Sequence, residues 1–168
     1  MLTIRSFKQG DGEAVSRILY ESFRSFLHER CIPRKPAEFY EQNARVHTDE
    51  YDRETFVAEI DGRLVGCLHI VVNEAQSAGG LWIIGIDPAC HSRGIGRALF
   101  QTAAALWREK KIRSVTTCVS HINAKAISFY RKMGFRQVGL IRDQFIKGID
   151  ELQLEWIIDY PEGSAGQG

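Results

Sequence analysis

The sequence predicts an α/β domain built on a mixed, mostly antiparallel sheet flanked by about four helices. Three observations lead there. The β-rich runs TFVAEI (55–60) and LVGCLHIVV (64–72) flank Asp61-Gly62, the dipeptide best suited to a tight antiparallel hairpin. LWIIGI (81–86) is a nearly continuous apolar run, as in a buried central strand, and Ile95, Leu99, Ala103 and Leu106 then recur at helical spacing. Strands that meet both as hairpins and through helices imply a mixed sheet.

The remaining elements follow in chain order. LTIRSF (2–7) alternates as an opening strand should. Asp11 is read as a helix N-cap, followed by Ala14, Val15, Ile18, Leu19, Ser22, Phe23 and Phe26 on one face. Two prolines in HERCIPRKP (28–36) break that helix, and a second is expected from Pro36 to about Thr48. RSVTTCV (113–119) reads as a β-branched strand. Asn123 then caps a helix through Met133 that Gly134 ends. FRQVGLI (135–141) is a strand. In the last one, Leu152, Leu154, Trp156 and Ile158 share one face, and Glu151, Gln153 and Glu155 line most of the other. Residues 1–160 read as one domain and PEGSAGQG (161–168) as a disordered tail.

Composition narrows the function classes. The 168 residues suffice for a sizeable core, and the net charge of +1 gives no global field toward nucleic acid or an anionic membrane. No apolar run approaches the ~18 residues of a membrane span, and MLTIRSFKQGDG lacks a secretory core, so a cytoplasmic protein is expected. Cys31, Cys67, Cys90 and Cys118 are far apart with no zinc-like spacing, so no metal is expected. Cys67 and Cys118 read as small hydrophobes; Cys90, near the glycines below, is open to a reading as a reactive thiol.

After Asp87-Pro88 the chain reads HSRGIGRALF (91–100), two glycines bordering a helix start. A helix start leaves unpaired N–H groups and partial positive charge, and glycines let a ligand approach them closely. These features suit a phosphate group, cradled by the amides around Arg93 to Arg97 with added charge from Arg93 and Arg97. A structural turn packing helix on sheet is the alternative. The triphosphate loop's Gly-Lys-Ser/Thr is absent, and Leu99 with an intervening proline spoils a dinucleotide fingerprint.

Ile86-Asp87-Pro88 and His91-Ser92-Arg93-Gly94-Ile95-Gly96-Arg97 resemble the acyl-CoA motif of the GNAT superfamily of N-acetyltransferases, Gln/Arg-x-x-Gly-x-Gly/Ala. His91 stands where that motif has Gln or Arg. Asn123, Ala126, Phe129, Tyr130, Gly134 and Phe135 resemble the family's second motif. The element order agrees from Leu2 to about Ile158.

The resemblance implies a GNAT-like fold in which the strand before the glycine loop and the strand after the next helix are parallel and splay apart. It implies acetyl-CoA as co-substrate, with Ile84, Gly85 and Ile86 offering backbone groups to pantetheine and the thioester. Gly85 suggests a bulge or close backbone approach. Tyr130 would protonate the departing thiolate, because a phenol keeps its proton at neutral pH; a core tyrosine is the local alternative. Asn123 reads both as cap and as a pantetheine contact.

The implied activity is transfer of an acetyl group to a primary amine of a small molecule or peptide, by direct attack in a ternary complex. A catalytically silent acyl-CoA sensor is the second reading. A nucleic-acid-binding domain would need a basic stripe with interleaved aromatics, which the sequence lacks. Glu59, His69, Glu74, His28 and Asp143 are the candidates for general base, with none singled out. The acceptor walls are expected at 26–36, with Arg30, Arg34 and Lys35 beside Glu29, and at a turn from Arg142 to Asp150. Phe145 reads as strand core or as an acceptor contact. Polyamine, aminoglycoside, amino acid and protein N-terminus all stay open as acceptors, and so does a homodimer.

Overall fold

Eight strands form one sheet in the order β1-β3-β4-β5-β6-β8-β7, with the short β2 paired to β3. The structure, a computed structural model, describes residues 1–27 and 33–160. The strands are β1 (Leu2–Ser6), β2 (Val46–His47), β3 (Asp52–Ile60), β4 (Arg63–Asn73), β5 (Ala78–Ile86), β6 (Ser114–Ser120), β7 (Arg136–Ile146) and β8 (Ile149–Ile157). The helices are α1 (Gly12–Arg24), α2 (Ala37–Asn43), α3 (Ile95–Glu109) and α4 (Ala124–Lys132), and a single 3₁₀ turn spans Pro88–Cys90. The mixed sheet and the parallel β5–β6 pair agree with the sequence reading. The expected tail, 161–168, lies outside the described residues.

Asp61 and Gly62 have φ of 50° and 79°, the paired positive values that a two-residue hairpin turn requires. This turn joins β3 to β4 and fixes their register. A core lies on each face of the sheet. Under α1, Val15, Ile18 and Leu19 pack on Val57 and Cys67. On the opposite face, Leu99, Ala103 and Trp107 of α3 pack on Leu68, Ile70, Leu81 and Val115. Trp107 anchors that side: fully buried, it stacks near Phe100 and Trp156 and donates its indole N–H to Val71 O at 3.1 Å.

Local competition changed several expected details. The second helix stops at Asn43 instead of Thr48, because Val46 and His47 pair with Arg53 and Asp52 of β3. Asp11 precedes α1 but makes no side-chain cap. Its carboxylate is held by Arg5 at 2.7 and 3.0 Å and by the Lys8 N–H at 2.9 Å. The bulge in β5 falls at Trp82, between the pairs His69–Ile83 and Ile70–Leu81, and not at Gly85. Gly85 serves a close approach: a Cβ there would lie 2.8 Å from Leu19 Cδ2 of α1. β7 runs on to Ile146, so the last turn is Lys147-Gly148, much shorter than the expected 142–150. Cys118 is exposed, whereas Cys67 is packed as expected; Cys31 lies outside the described residues.

Trp107→Ala is expected to cost about 3–5 kcal/mol, as large-to-small changes of aromatic core residues do. Urea unfolding measures it, and a variant within about 1 kcal/mol of wild type contradicts this packing account.

Candidate active site

β5 and β6 pair only through Ala78–Ser114, Gly79–Val115 and Gly80–Thr116. From Leu81 to Ile86, β5 keeps β4 on one side and has no strand on the other. The backbone of Ile84, Gly85 and Ile86 therefore borders a gap. At its end, Asp87 ties β5 to its surroundings: its N–H donates to Val65 O, and its carboxylate meets Arg17, Arg63 and the Ala89 N–H at 2.8–3.1 Å. Burial alone would raise the Asp87 pKa; the Ala89 N–H and the two guanidinium groups outweigh it and hold the carboxyl below its ordinary value.

The glycine loop follows. Ser92 and Gly94 both have positive φ, 64° and 75°, and Gly94 faces open space. The first bond of α3 runs from Ala98 N–H to Gly94 O, which leaves the amides of Ile95, Gly96 and Arg97 without a protein acceptor among the described residues. His91, Ser92, Arg93 and Arg97 are exposed around them. The His91 ring sits 3.3 Å from Ile86 O, so it secures the loop to the end of β5. Ile95 is buried on Gly66 of β4. Gly96 is a packing glycine as well as a bare one, since a Cβ there would lie 3.3 Å from the Phe129 ring of α4.

The gap opens into a cleft of about 1050 Å³ bordered by Ile84, Thr117, Asn123 and Tyr130. Asn123 Oδ1 accepts from the Ala126 N–H at 3.1 Å, so the expected cap of α4 is formed at the edge of the cleft. Tyr130 combines both of its sequence readings. It packs edge-on against Phe129 and Phe135, is only 4% exposed, and still lines the cleft beside Thr117. Burial drives its pKa up to about 12, with Thr117 opposing.

Residues 14–135, most of the chain, match the Acetyltransferase (GNAT) family. The chain belongs to this family. Mycothiol acetyltransferase of Actinosynnema mirum is 26% identical over 137 residues, covering 80% of this chain and 44% of that protein. The chain spans less than half the length of the curated relatives it matches. Among solved structures, the ribosomal-protein-S18-alanine N-acetyltransferase from Escherichia coli superposes with a TM-score of 0.77 at 19% identity, covering 99% of this chain and 100% of that one. The PaiA N-acetyltransferase from Thermoplasma acidophilum in complex with coenzyme A gives 0.71 at 17% identity, covering 94% and 99%. These likenesses place the fold as GNAT.

In this GNAT chain most of the expected base candidates lie elsewhere. Glu59 is paired with Arg5 at 3.0 Å and Glu74 with Lys110 at 2.8 Å. Asp143 holds the last turn by accepting from the Gly148 N–H. His28 lies outside the described residues. His69 does line the cleft, but as a satisfied core histidine. The Asn43 carbonyl can only accept, so Nε2 carries the proton; Nδ1 meets the Thr55 hydroxyl, whose one proton it shares with the Ala44 carbonyl. Burial lowers the His69 pKa to about 4, with the Asn43 carbonyl opposing.

The acceptor walls are partly as expected. Pro33, Arg34 and Lys35 line the cleft, with Arg34 drawn toward Glu13 and Ser16; 28–32 lie outside the described residues. Phe145 is 71% exposed and borders the cleft, so it is a wall and not core. Among the lining residues that went unanticipated are two with reactive side chains. Cys118 faces the cleft from β6, and Glu151 from β8 is 4% exposed within it. Their sequence signal was the alternation of β6 and β8, which sends the core residues to one face and these to the other.

A histidine whose folded pKa is depressed stabilises the fold above its unfolded pKa, near 6.5, and that contribution is lost as pH falls through about 4. His69→Gln is therefore expected to shrink the loss of unfolding free energy between neutral pH and pH ~4.5 relative to wild type. Parallel pH dependences in urea titrations of the two proteins would contradict a buried neutral His69.

Proposed function

We propose that the protein transfers the acetyl group of acetyl-CoA to a primary amine in a ternary complex. The observation that carries this reading is the parting of β5 from β6 between a bare-amide glycine loop and the buried Tyr130. The residues present fit the donor. The unpaired amides of Ile95, Gly96 and Arg97 and the flanking Ser92, Arg93 and Gly94 suit phosphate, with His91 securing the loop. Ile84, Gly85 and Ile86 offer strand-edge groups to the pantetheine arm, and Asn123 adds a side-chain amide at the same gap. The family match to residues 14–135 and the fold likeness to a coenzyme A complex support that assignment.

The chain supplies two things to the reaction. A strand-edge N–H at the gap stabilises charge growing on the thioester oxygen as the amine attacks. Tyr130 gives its proton to the sulfur that leaves. A phenol with a pKa pushed up to about 12 is protonated at neutral pH, so it holds the proton that the acid role requires. Mycothiol and ribosomal-protein alanine figure in the names of similar acetyltransferases; both names are consistent with an amine acceptor for this chain.

Calorimetric titration with acetyl-CoA tests the donor site, and Tyr130→Phe tests the acid. The variant should lose about 100-fold in kcat, since a positioned acid acts in the transition state, while its acetyl-CoA affinity stays near wild type. Loss confined to affinity would place Tyr130 in binding or packing.

A further inference from the structure

Among the described residues, the cleft contains one carboxylate that the donor side does not use. Glu151 pairs in register with Ser120 across β6–β8, accepts a hydrogen bond from its hydroxyl, and borders the cleft while 4% exposed. Among the described residues no Lys or Arg forms an ion pair with it. A buried carboxylate with one hydroxyl partner and no counter-cation costs stability, so the fold alone gives no reason for it. Its surroundings tie it to the reacting end. Cys118 and Ser120 share its face of β6, Thr117 beside Tyr130 is the next residue along that strand, and Tyr130 and Glu151 line the same cleft.

Aromatic side chains form part of the remaining lining, beside Arg34, Lys35 and Arg53; Lys35 Nζ lies 5.5 Å from the Phe39 ring and the Arg53 guanidinium 4.2 Å over Trp82. Tyr20 and Phe23 of α1, Phe39 of α2, Trp82 of β5 and Phe145 of β7 line the cleft, and Phe39, Trp82 and Phe145 are 43%, 57% and 71% exposed. Exposed aromatic surface inside a cleft suits an apolar, ring-bearing ligand. Glu151 then marks where that ligand's positive charge goes.

We propose that Glu151 receives the acceptor's ammonium group and takes its proton, and that the acceptor is a primary amine on an apolar, ring-bearing body seated among these aromatics. The proposal rests on the acetyl-transfer reading. One ammonium proton goes to Glu151 and on to solvent. The nitrogen lone pair forms the C–N bond as the C–S bond breaks, and sulfur leaves with that bond's electron pair and the Tyr130 proton. The nitrogen's second proton returns to the Tyr130 phenolate, which restores the acid.

Burial holds the Glu151 carboxyl above its ordinary pKa, against the Ser120 hydroxyl and His121, so its basicity is raised toward the working range. The titratable groups around it are Cys118 of β6 and His121 in the following turn. On β7 its register partner is Ile141, followed by Arg142 and Asp143.

The test uses 2-phenylethylamine as acceptor, with thiol release as the readout and acetyl-CoA binding measured in parallel. Wild type should acetylate this amine with kcat/KM rising with pH through the Glu151 titration. Glu151→Gln should lose about 100-fold in kcat/KM and flatten that acid limb. Its acetyl-CoA affinity should stay unchanged and its Tm at neutral pH should stay near wild type, since the amide oxygen can still accept from the Ser120 hydroxyl. Glu151→Asp should retain the acid limb at reduced rate, and decides the matter if the Gln variant does not fold. A folded Gln variant within about threefold of wild type overturns the base assignment. So does an Asp variant with no acid limb. Wild type that binds acetyl-CoA but leaves 2-phenylethylamine untouched overturns the acceptor class, and wild type that binds no acetyl-CoA overturns the underlying reading as well.

Discussion

Beyond Gly80 and Thr116, β5 and β6 stop hydrogen-bonding to each other, and the functional half of the molecule is arranged around that parting. A strand edge inside a folded domain needs a partner, because unpaired N–H and C=O groups away from water cost about as much as a lost hydrogen bond. Here the partner is a strand for three residues and then a cleft. Packing holds β5 from both faces, α1 against β4 and β5 on one and α3 against β3, β4 and β5 on the other, while Val115 and Val119 tie β6 to the α3 core alone. The gap therefore lies beside strands that packing already holds.

Charge is placed with the same economy. Asp87 gathers Arg17 of α1, Arg63 of β4 and the Ala89 N–H, which joins three elements where β5 turns into the glycine loop. That cluster fixes where the loop begins, and the His91 ring on Ile86 O fixes how it leaves. Inside the cleft the direction reverses. Tyr130 and Glu151 are both pushed up by burial, so one holds its proton firmly and the other accepts one more readily. The cleft thus holds one group kept protonated and one whose proton affinity is raised, the two forms that the proposed acid and base roles start from.

Much of this was legible in the residues. The Asp61-Gly62 turn, the Asn123 cap, the helix after Gly94 and the alternation of β8 all follow from local rules that the tertiary structure leaves alone. The misreadings came where a distant segment competed. Val46 and His47 look helical until β3 is beside them, and Asp11 looks like a cap until Arg5 claims its carboxylate. The bulge at Trp82 left no glycine to betray it. Glu151, the proposed base, was hidden for another reason. Alternation gave the face of Glu151, but a solvated strand face and a cleft wall share one sequence pattern, and only the sheet order places β8 beside β6 and that face in the cleft.

The central claim is that the free edge of β5 and the bare amides of the glycine loop take the donor. Amide hydrogen exchange with and without acetyl-CoA tests this at the residues concerned. Binding should slow exchange at Ile84–Ile86 and at Arg93–Arg97 and leave the β1–β3 ladder unchanged. Full acetyl-CoA binding with unaltered exchange at both segments would contradict the account and place the donor elsewhere on the protein.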